Sequence, residues 1–329
     1  MKALLTAMIV LMASMTISAQ PCETGKLDPV VAQALGNTVT DLPSSPNTSV
    51  EQIHDLRIPT LPFPATDLKV IKVTRDSIPL HIYNPLHQTD LPIIIGYHPG
   101  GFVTPMLPFM QYEYWRKAKM YDAIVIAVDY RVAPEHPFPA AVNDAYNAFR
   151  YIVDHGTELG GDTSRIVLLG ESAGGNLATV VSRKAAEAGM ANKIQLQILN
   201  CPSTDDPRNA SRHPSYQKYA SGYFQTKAFC EYYIRVYAPN QPPNNPDIAP
   251  LHANNLEGMP PVLMITAEFD VMRDEAYEYV EKLRSAGVRV SHVCFPGQIH
   301  CLVGLPDDAP QRKELDELIN SELDLVWGR

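Results

Sequence analysis

The chain has 329 residues, 45% of them hydrophobic and 19% charged, enough apolar material for a large core in one or two domains. Its formal net charge of −9 argues against nucleic acid or an anionic membrane surface as the main partner. There is no internal repeat or low-complexity tract, and the 29 prolines punctuate loops rather than building a linker.

Residues 1–19 read as a secretory signal peptide. Lys2 supplies a positive start, residues 3–17 are apolar and small, and Ser18-Ala19 precedes a cleavage point. Gln20-Pro21 ends the apolar run short of the ~20 residues a comfortable span needs. No stable membrane span is therefore expected after the leader is removed. Cys22, Cys201, Cys230, Cys294 and Cys301 all lie beyond it. Export permits disulfides, but five cysteines form no dense framework. Cys294 and Cys301 bracket the stretch holding His300, which makes them a candidate bridge. Without a C-x-x-C or H-E-x-x-H pattern, no metal site is expected.

Asp28-Pro29 caps and opens a first helix with Val30, Val31, Ala34 and Leu35 on one face and Gly36 at its end. Ser49-Val50-Glu51-Gln52 fits a capping box for a second. From residue 68 the period changes to two, and 68–74 and 78–83 alternate like a hairpin. Residues 91–97 form an apolar strand running into His98-Pro99-Gly100-Gly101, and 123–129 form another. A helix follows over 140–153.

Residues 165–176 read RIVLLGESAGGN. The apolar run 166–169 is a buried strand, and Leu177, Val180, Val181 and Lys184 start a helix that stops at Gly189. Ser172 thus sits where a strand turns sharply into a helix, the context of a G-x-S-x-G nucleophile elbow. Gly170 and Gly174 let strand and helix approach closely. A strand at 193–199 follows. Residues 201–246 then change texture, rich in Tyr, Asn and Pro, with a helical piece at 229–237. A strand at 262–266, a helix at 275–286, a last strand at 289–295 and a closing helix at 314–325 complete the chain. Strands alternating with helices predict a mostly parallel α/β sheet. The Tyr-rich stretch and the N-terminal helices are extra to that pattern and read as a cap over the strand C-terminal edge.

A serine hydroxyl needs a general base, and the base needs an orienting acid. In this architecture they follow in the order serine, acid, histidine, just past strand ends. Asp270 follows the strand at 262–266, with Glu268 and Asp274 as its competitors. His300 alone of the ten histidines follows the last strand. The oxyanion needs backbone donors. Ala173 supplies one, and the 98–101 loop is the Gly-rich loop in the right place for the others.

The motifs HPGGF at 98–102, DYRVAPEHPFPAA at 129–141, GGDTSRIVLLGESAGGN at 160–176, GMPPVLMITAEFDVMRDE at 258–275 and GVRVSHVCFPGQIH at 287–300 stand in one order. With them the chain resembles the hormone-sensitive-lipase-like esterases, the α/β-hydrolase branch with HGGG and GDSAGG motifs. The resemblance implies an eight-stranded, mostly parallel sheet flanked by helices. It implies a catalytic domain over 67–329, with a cap built from residues 20–66 and an insertion at about 202–246. It also implies Ser172 as nucleophile, Asp270 as acid, His300 as base, and Gly100, Gly101 and Ala173 as oxyanion donors, with His98 and Glu171 structuring their loops. The substrate would be a small ester, cleaved without a cofactor through an acyl-enzyme. Pro99 departs from the second motif glycine, Glu171 from the usual aspartate, and Cys301-Leu302 from the usual Gly-Phe. Arg131, Glu135 and Asp144 read as a structural ion-pair cluster. Two rivals remain: an aryl-formamidase, and a non-catalytic small-molecule receptor on the same fold.

Protein recovered from the native host is expected to begin near Gln20. N-terminal sequencing that finds Met1 on the folded species would rule out the leader.

Overall fold

The structure, a computed structural model, describes residues 22–37 and 64–329. The leader at 1–19 and the second capping box, at 49–52, lie outside the described residues. Eight strands form one sheet: β1 (Leu68–Val73), β2 (Ile78–Tyr83), β3 (Leu91–Tyr97), β4 (Ile124–Val128), β5 (Gly161–Glu171), β6 (Ile194–Asn200), β7 (Val262–Phe269) and β8 (Val290–Ile299). Their order is β1-β2-β4-β3-β5-β6-β7-β8. The β1–β2 and β2–β4 pairs are antiparallel and the other five parallel.

Parallel strands are covered on both faces, so their sequences read as continuous apolar runs. β4 and β7 are buried at every position. Successive side chains alternate between two cores. Ile93, Ile95 and Tyr97 join Phe149 of α3 (Ala140–His155), Leu177 and Val181 of α4 (Ala173–Glu187) and Leu283 of α7 (Arg273–Ser285). Ile94 joins the opposite core, with Tyr114 of α2 (Pro108–Met120) and Leu315, Ile319 and Leu323 of α8 (Pro310–Trp327). The helix α1 (Pro29–Asn37) adds its buried Val31 to this second core. The Asp28 carboxylate accepts from the Val30 N–H at 2.8 Å, the cap its position promised.

The α2 helix has no counterpart in the sequence reading. Its buried positions Met110, Tyr114, Lys117 and Ala118 keep helical spacing, but one of them is a lysine, so the apolar stripe is broken. The last strand runs through Pro296-Gly297 to Ile299, where the sequence suggested a loop. In the Tyr-rich region a short helix, α5 (Ser215–Lys218), precedes α6 (Lys227–Tyr237), which Thr226 caps by accepting from the Phe229 N–H at 3.2 Å. No helix among the described residues is long and apolar enough to cross a membrane.

The candidate Cys294–Cys301 bridge is not the one formed. Cys294 pairs with Cys22 across 272 residues of chain, and Cys301 is free. β8 carries Cys294 past the N-terminal segment, where the Asp28 N–H also donates to the Gly297 carbonyl at 2.9 Å. The Glu268 carboxylate completes this anchor, accepting from Thr24 Oγ1 at 2.7 Å, Gly25 N–H at 2.7 Å and Gly297 N–H at 2.8 Å. Long-loop cross-links restrict the unfolded chain most. Replacing Cys22 and Cys294 together by serine is expected to cost about 2–5 kcal/mol of stability. A melting temperature that does not fall would show that Glu268 alone holds the segment.

Candidate active site

β5 ends at Glu171, Ser172 makes the turn, and α4 begins at Ala173. Ser172 takes φ 53° and ψ −117°, a conformation that costs a residue with a Cβ on the order of 1–3 kcal/mol. The neighbours enforce it. A Cβ on Gly170 would strike the Gly174 carbonyl, and one on Gly174 would strike the Tyr97 carbonyl at the end of β3. Backbone bonds fix the turn further: Ser172 N–H donates to the Asn200 carbonyl at 3.0 Å, and Ser203 N–H donates to the Ser172 carbonyl at 3.2 Å.

Asp270 directly follows β7, and His300 directly follows β8 in a turn over His300–Leu302. Both are buried, and the Asp270 Oδ2 to His300 Nδ1 distance is 2.7 Å. The other Asp270 oxygen accepts from Met272 N–H at 3.0 Å, which fixes the carboxylate plane. Glu268 serves the N-terminal anchor instead. Asp274 binds Ser215 N–H and the Arg273 guanidinium, both at 2.8 Å. Burial by itself lowers the His300 pKa, but the charge and hydrogen bond of Asp270, with the Cys201 thiol beside the ring, raise it instead. The site thus favours the charged ring that forms when the imidazole takes up a proton. With Nδ1 committed to Asp270, Nε2 is left buried and without a hydrogen-bond partner among the described residues.

The 98–101 loop follows β3. His98 is fully buried, stacks on Tyr130 with centroids 4.1 Å apart, and its Nδ1 lies 2.8 Å from the Pro99 carbonyl. Burial lowers its pKa and so disfavours the charged ring. Tyr130 Oη donates to the His98 carbonyl at 2.8 Å. Gly101 has φ 60°, and the Tyr233 ring of α6 lies where its Cβ would be. Only glycine satisfies both conditions.

Ser172, Ala173, Gly101, Phe102, Pro207, Tyr216, Tyr233, Ile234 and Met272 line one cavity. Residues of the Tyr-rich region therefore share a wall with the serine. Two aromatic groups stand there: Tyr219 and Tyr223 pack on Phe269, and Phe229 stacks on Tyr233. The polar groups beneath are tied down by Asp205, which accepts from His213 and His252, each at 2.8 Å. Of the N-terminal segment, residues 22–37 pack on β8 and line no part of this cavity.

Glu171 pairs with Lys117 of α2 at 2.6 Å, and Asp144 is held by the Arg131 guanidinium at 2.7 and 2.8 Å. Glu135 is not a member of that cluster; it is exposed, and Asp76 sits 3.6 Å from Arg131 instead. The sequence reading missed Cys201. It follows β6 directly, between the Asn200 carbonyl that receives Ser172 N–H and the His300 ring, and its Sγ accepts from Cys301 N–H at 3.2 Å. The strand-end rule that found Asp270 and His300 applies equally to it.

A family described as alpha/beta hydrolase fold matches residues 94–304. The chain is 30% identical over 299 residues to the carboxylesterase NlhH of Mycobacterium tuberculosis (strain ATCC 25618 / H37Rv), covering 88% of this chain and 92% of that protein. It is 34% identical over 235 residues to the ethyl acetate hydrolase of Pseudomonas putida, covering 69% of this chain and 72% of the other. A hyperthermophilic esterase from the archaeon Pyrobaculum calidifontis superposes with a TM-score of 0.82 at 31% identity, covering 91% of this chain and 98% of that one.

The two buried acids are expected to separate experimentally. Glu268→Gln removes charge from three hydrogen bonds and should cost about 1–3 kcal/mol in stability, while hydrolysis of p-nitrophenyl acetate falls less than about tenfold. Asp270→Asn should leave the melting temperature closer to wild type and lower kcat by about 10⁴. The reverse pattern would reassign the acid to Glu268.

Proposed function

The chain belongs to the hormone-sensitive-lipase-like branch of the α/β-hydrolase fold and is a carboxylic ester hydrolase, and on that footing we propose that it cleaves short-chain acyl esters through Ser172, His300 and Asp270. The observation that carries this reading is the 2.7 Å Asp270–His300 contact, which commits Nδ1 and leaves Nε2 free at the same strand ends that hold Ser172. Nε2 takes the Ser172 proton as Oγ attacks the ester carbonyl. The oxygen that becomes negative is met by the N–H groups of Gly100, Gly101 and Ala173, reinforced by the α4 N-terminus. His300 returns the proton to the departing alcohol. Water then adds to the acyl-enzyme through the same base and frees the acid.

The cavity supports the substrate class. Tyr216, Tyr233, Ile234 and Met272 supply apolar walls for an acyl or alkyl group, and Tyr233 packs on Gly101 like the edge of a lid. A relative named for ethyl acetate hydrolysis points the same way. We read the 202–246 region as the cap over this cavity. The reading extends to location: export through the leader at 1–19 is supported by the Cys22–Cys294 disulfide, since such bonds persist in oxidising compartments.

A p-nitrophenyl ester series is expected to give higher kcat/KM at C2–C6 than at C12–C16. Faster turnover of N-formylkynurenine than of any ester would move the reading to a formamidase. Ser172→Ala and His300→Ala should each lower kcat by about 10⁴ or more in folded protein.

Pro99 has no N–H to donate, so if the donors are at Gly100 and Gly101 its removal costs the oxyanion nothing. Pro99→Gly should change kcat no more than several-fold and lower stability by about 0.4–1 kcal/mol. Gly101→Pro should abolish turnover. A large gain in kcat for Pro99→Gly would move the donor set one residue earlier.

A further inference from the structure

We propose that Cys201, His300 and Cys301 form a binding site for a soft divalent cation of the zinc class, and that occupying it switches hydrolysis off. The binding half stands on geometry alone; the inhibitory half rests on His300 being the base, as proposed above.

The two sulfur atoms and a ring nitrogen of His300 lie within 4.8 Å of one another. A tetrahedral zinc ion, with bonds of about 2.3 Å to sulfur and 2.0–2.1 Å to nitrogen, needs its ligands roughly 3.4–3.8 Å apart. Side-chain rotations of about an ångström close that difference. Both thiols are free, because Cys294 is taken by Cys22. The imidazole is presented for the purpose: Nδ1 is held by Asp270 at 2.7 Å, and Nε2 is buried with no partner among the described residues. A carboxylate behind a histidine ligand fixes its tautomer and raises its basicity toward a metal. Two thiolates and one imidazole match a borderline-soft ion and discriminate against magnesium or calcium.

The ion also has a way in that does not cross the substrate cavity. Cys301 lines a second cavity between α2 and α8, on whose walls Glu113, Glu171 and Asp316 stand beside Arg116, Lys117 and Arg312. Binding releases the protons of the two thiols to solvent and takes the Nε2 lone pair. Ser172 then has no group to receive its proton. The sequence hid this site because its ligands come from two strand ends a hundred residues apart rather than from one short motif.

The test uses the untagged chain after mild phosphine reduction that keeps Cys201 and Cys301 reduced and leaves the Cys22–Cys294 disulfide closed, as three titratable thiols per chain verify. Cobalt(II) is expected to bind one ion per chain with a thiolate-to-cobalt charge-transfer band, which zinc removes. Zinc should lower p-nitrophenyl acetate turnover at least about tenfold, and a chelator should restore it. Cys301→Ser should keep metal-free turnover within about threefold, lose the band, and need about a hundredfold more zinc for the same inhibition. No band, or an equal band in Cys301→Ser, overturns the site. A band of the expected kind without loss of turnover upholds the site and overturns His300 as the base.

Discussion

The arrangement depends on one steric constraint, the approach of β5 and α4 at the Ser172 turn. Gly170 and Gly174 are in contact there, and Gly174 also lies on the end of β3. No side chain fits at either position. The serine is thereby forced to a positive φ, at the sheet edge where β6, β7 and β8 also end. Strain at this point is held by the two cores on either face of the sheet, which leave strand and helix no room to separate.

From that turn the strand order dictates what can be near the serine. β6 is the immediate neighbour of β5, so Asn200 and Cys201 come first, and Asp270 and His300 reach in from the next two strands. A parallel sheet puts all these strand ends at one edge, which gathers residues a hundred or more positions apart. The same edge carries a carboxylate with a different job. Glu268 is two residues from Asp270, but it still lies within β7 while Asp270 lies past the strand's end, and the two carboxylates meet different partners, Asp270 His300 and Glu268 the N-terminal segment. Their proximity in sequence and separation in role follow from this geometry.

The 98–101 loop meets the Tyr-rich region where the Tyr233 ring lies over Gly101 and, one residue on, where Phe102 stacks on Tyr237. Any movement of α6 is felt there at once. The shape of the cavity beside Ser172 and the placement of the Gly100 and Gly101 backbone are therefore not independent of each other.

Much of this was legible in the sequence. The apolar runs of β3, β4 and β7 announce strands buried on both faces, and G-x-S-x-G between a strand and a helix identifies the elbow, because local sterics admit few alternatives there. Strand-end position singled out Asp270 and His300, and the two lie 2.7 Å apart at one edge of the sheet. Other features needed the tertiary structure. The α2 helix buries a lysine, so its stripe reads as broken until Glu171 appears opposite it. Cys294 turns to Cys22 rather than to Cys301 because β8 runs on through the expected loop, with a bulge at Gly297, and meets the N-terminal segment. Glu135 drops out of the Arg131 cluster and Asp76 enters it, a matter of loop path rather than of spacing. Local pattern and sterics determined the elements and the strand-end residues, since those depend on neighbours in the chain. Pairing among cysteines, carboxylates and thiols was decided only by how the strands are ordered in the sheet, because that order sets which distant side chains share a place.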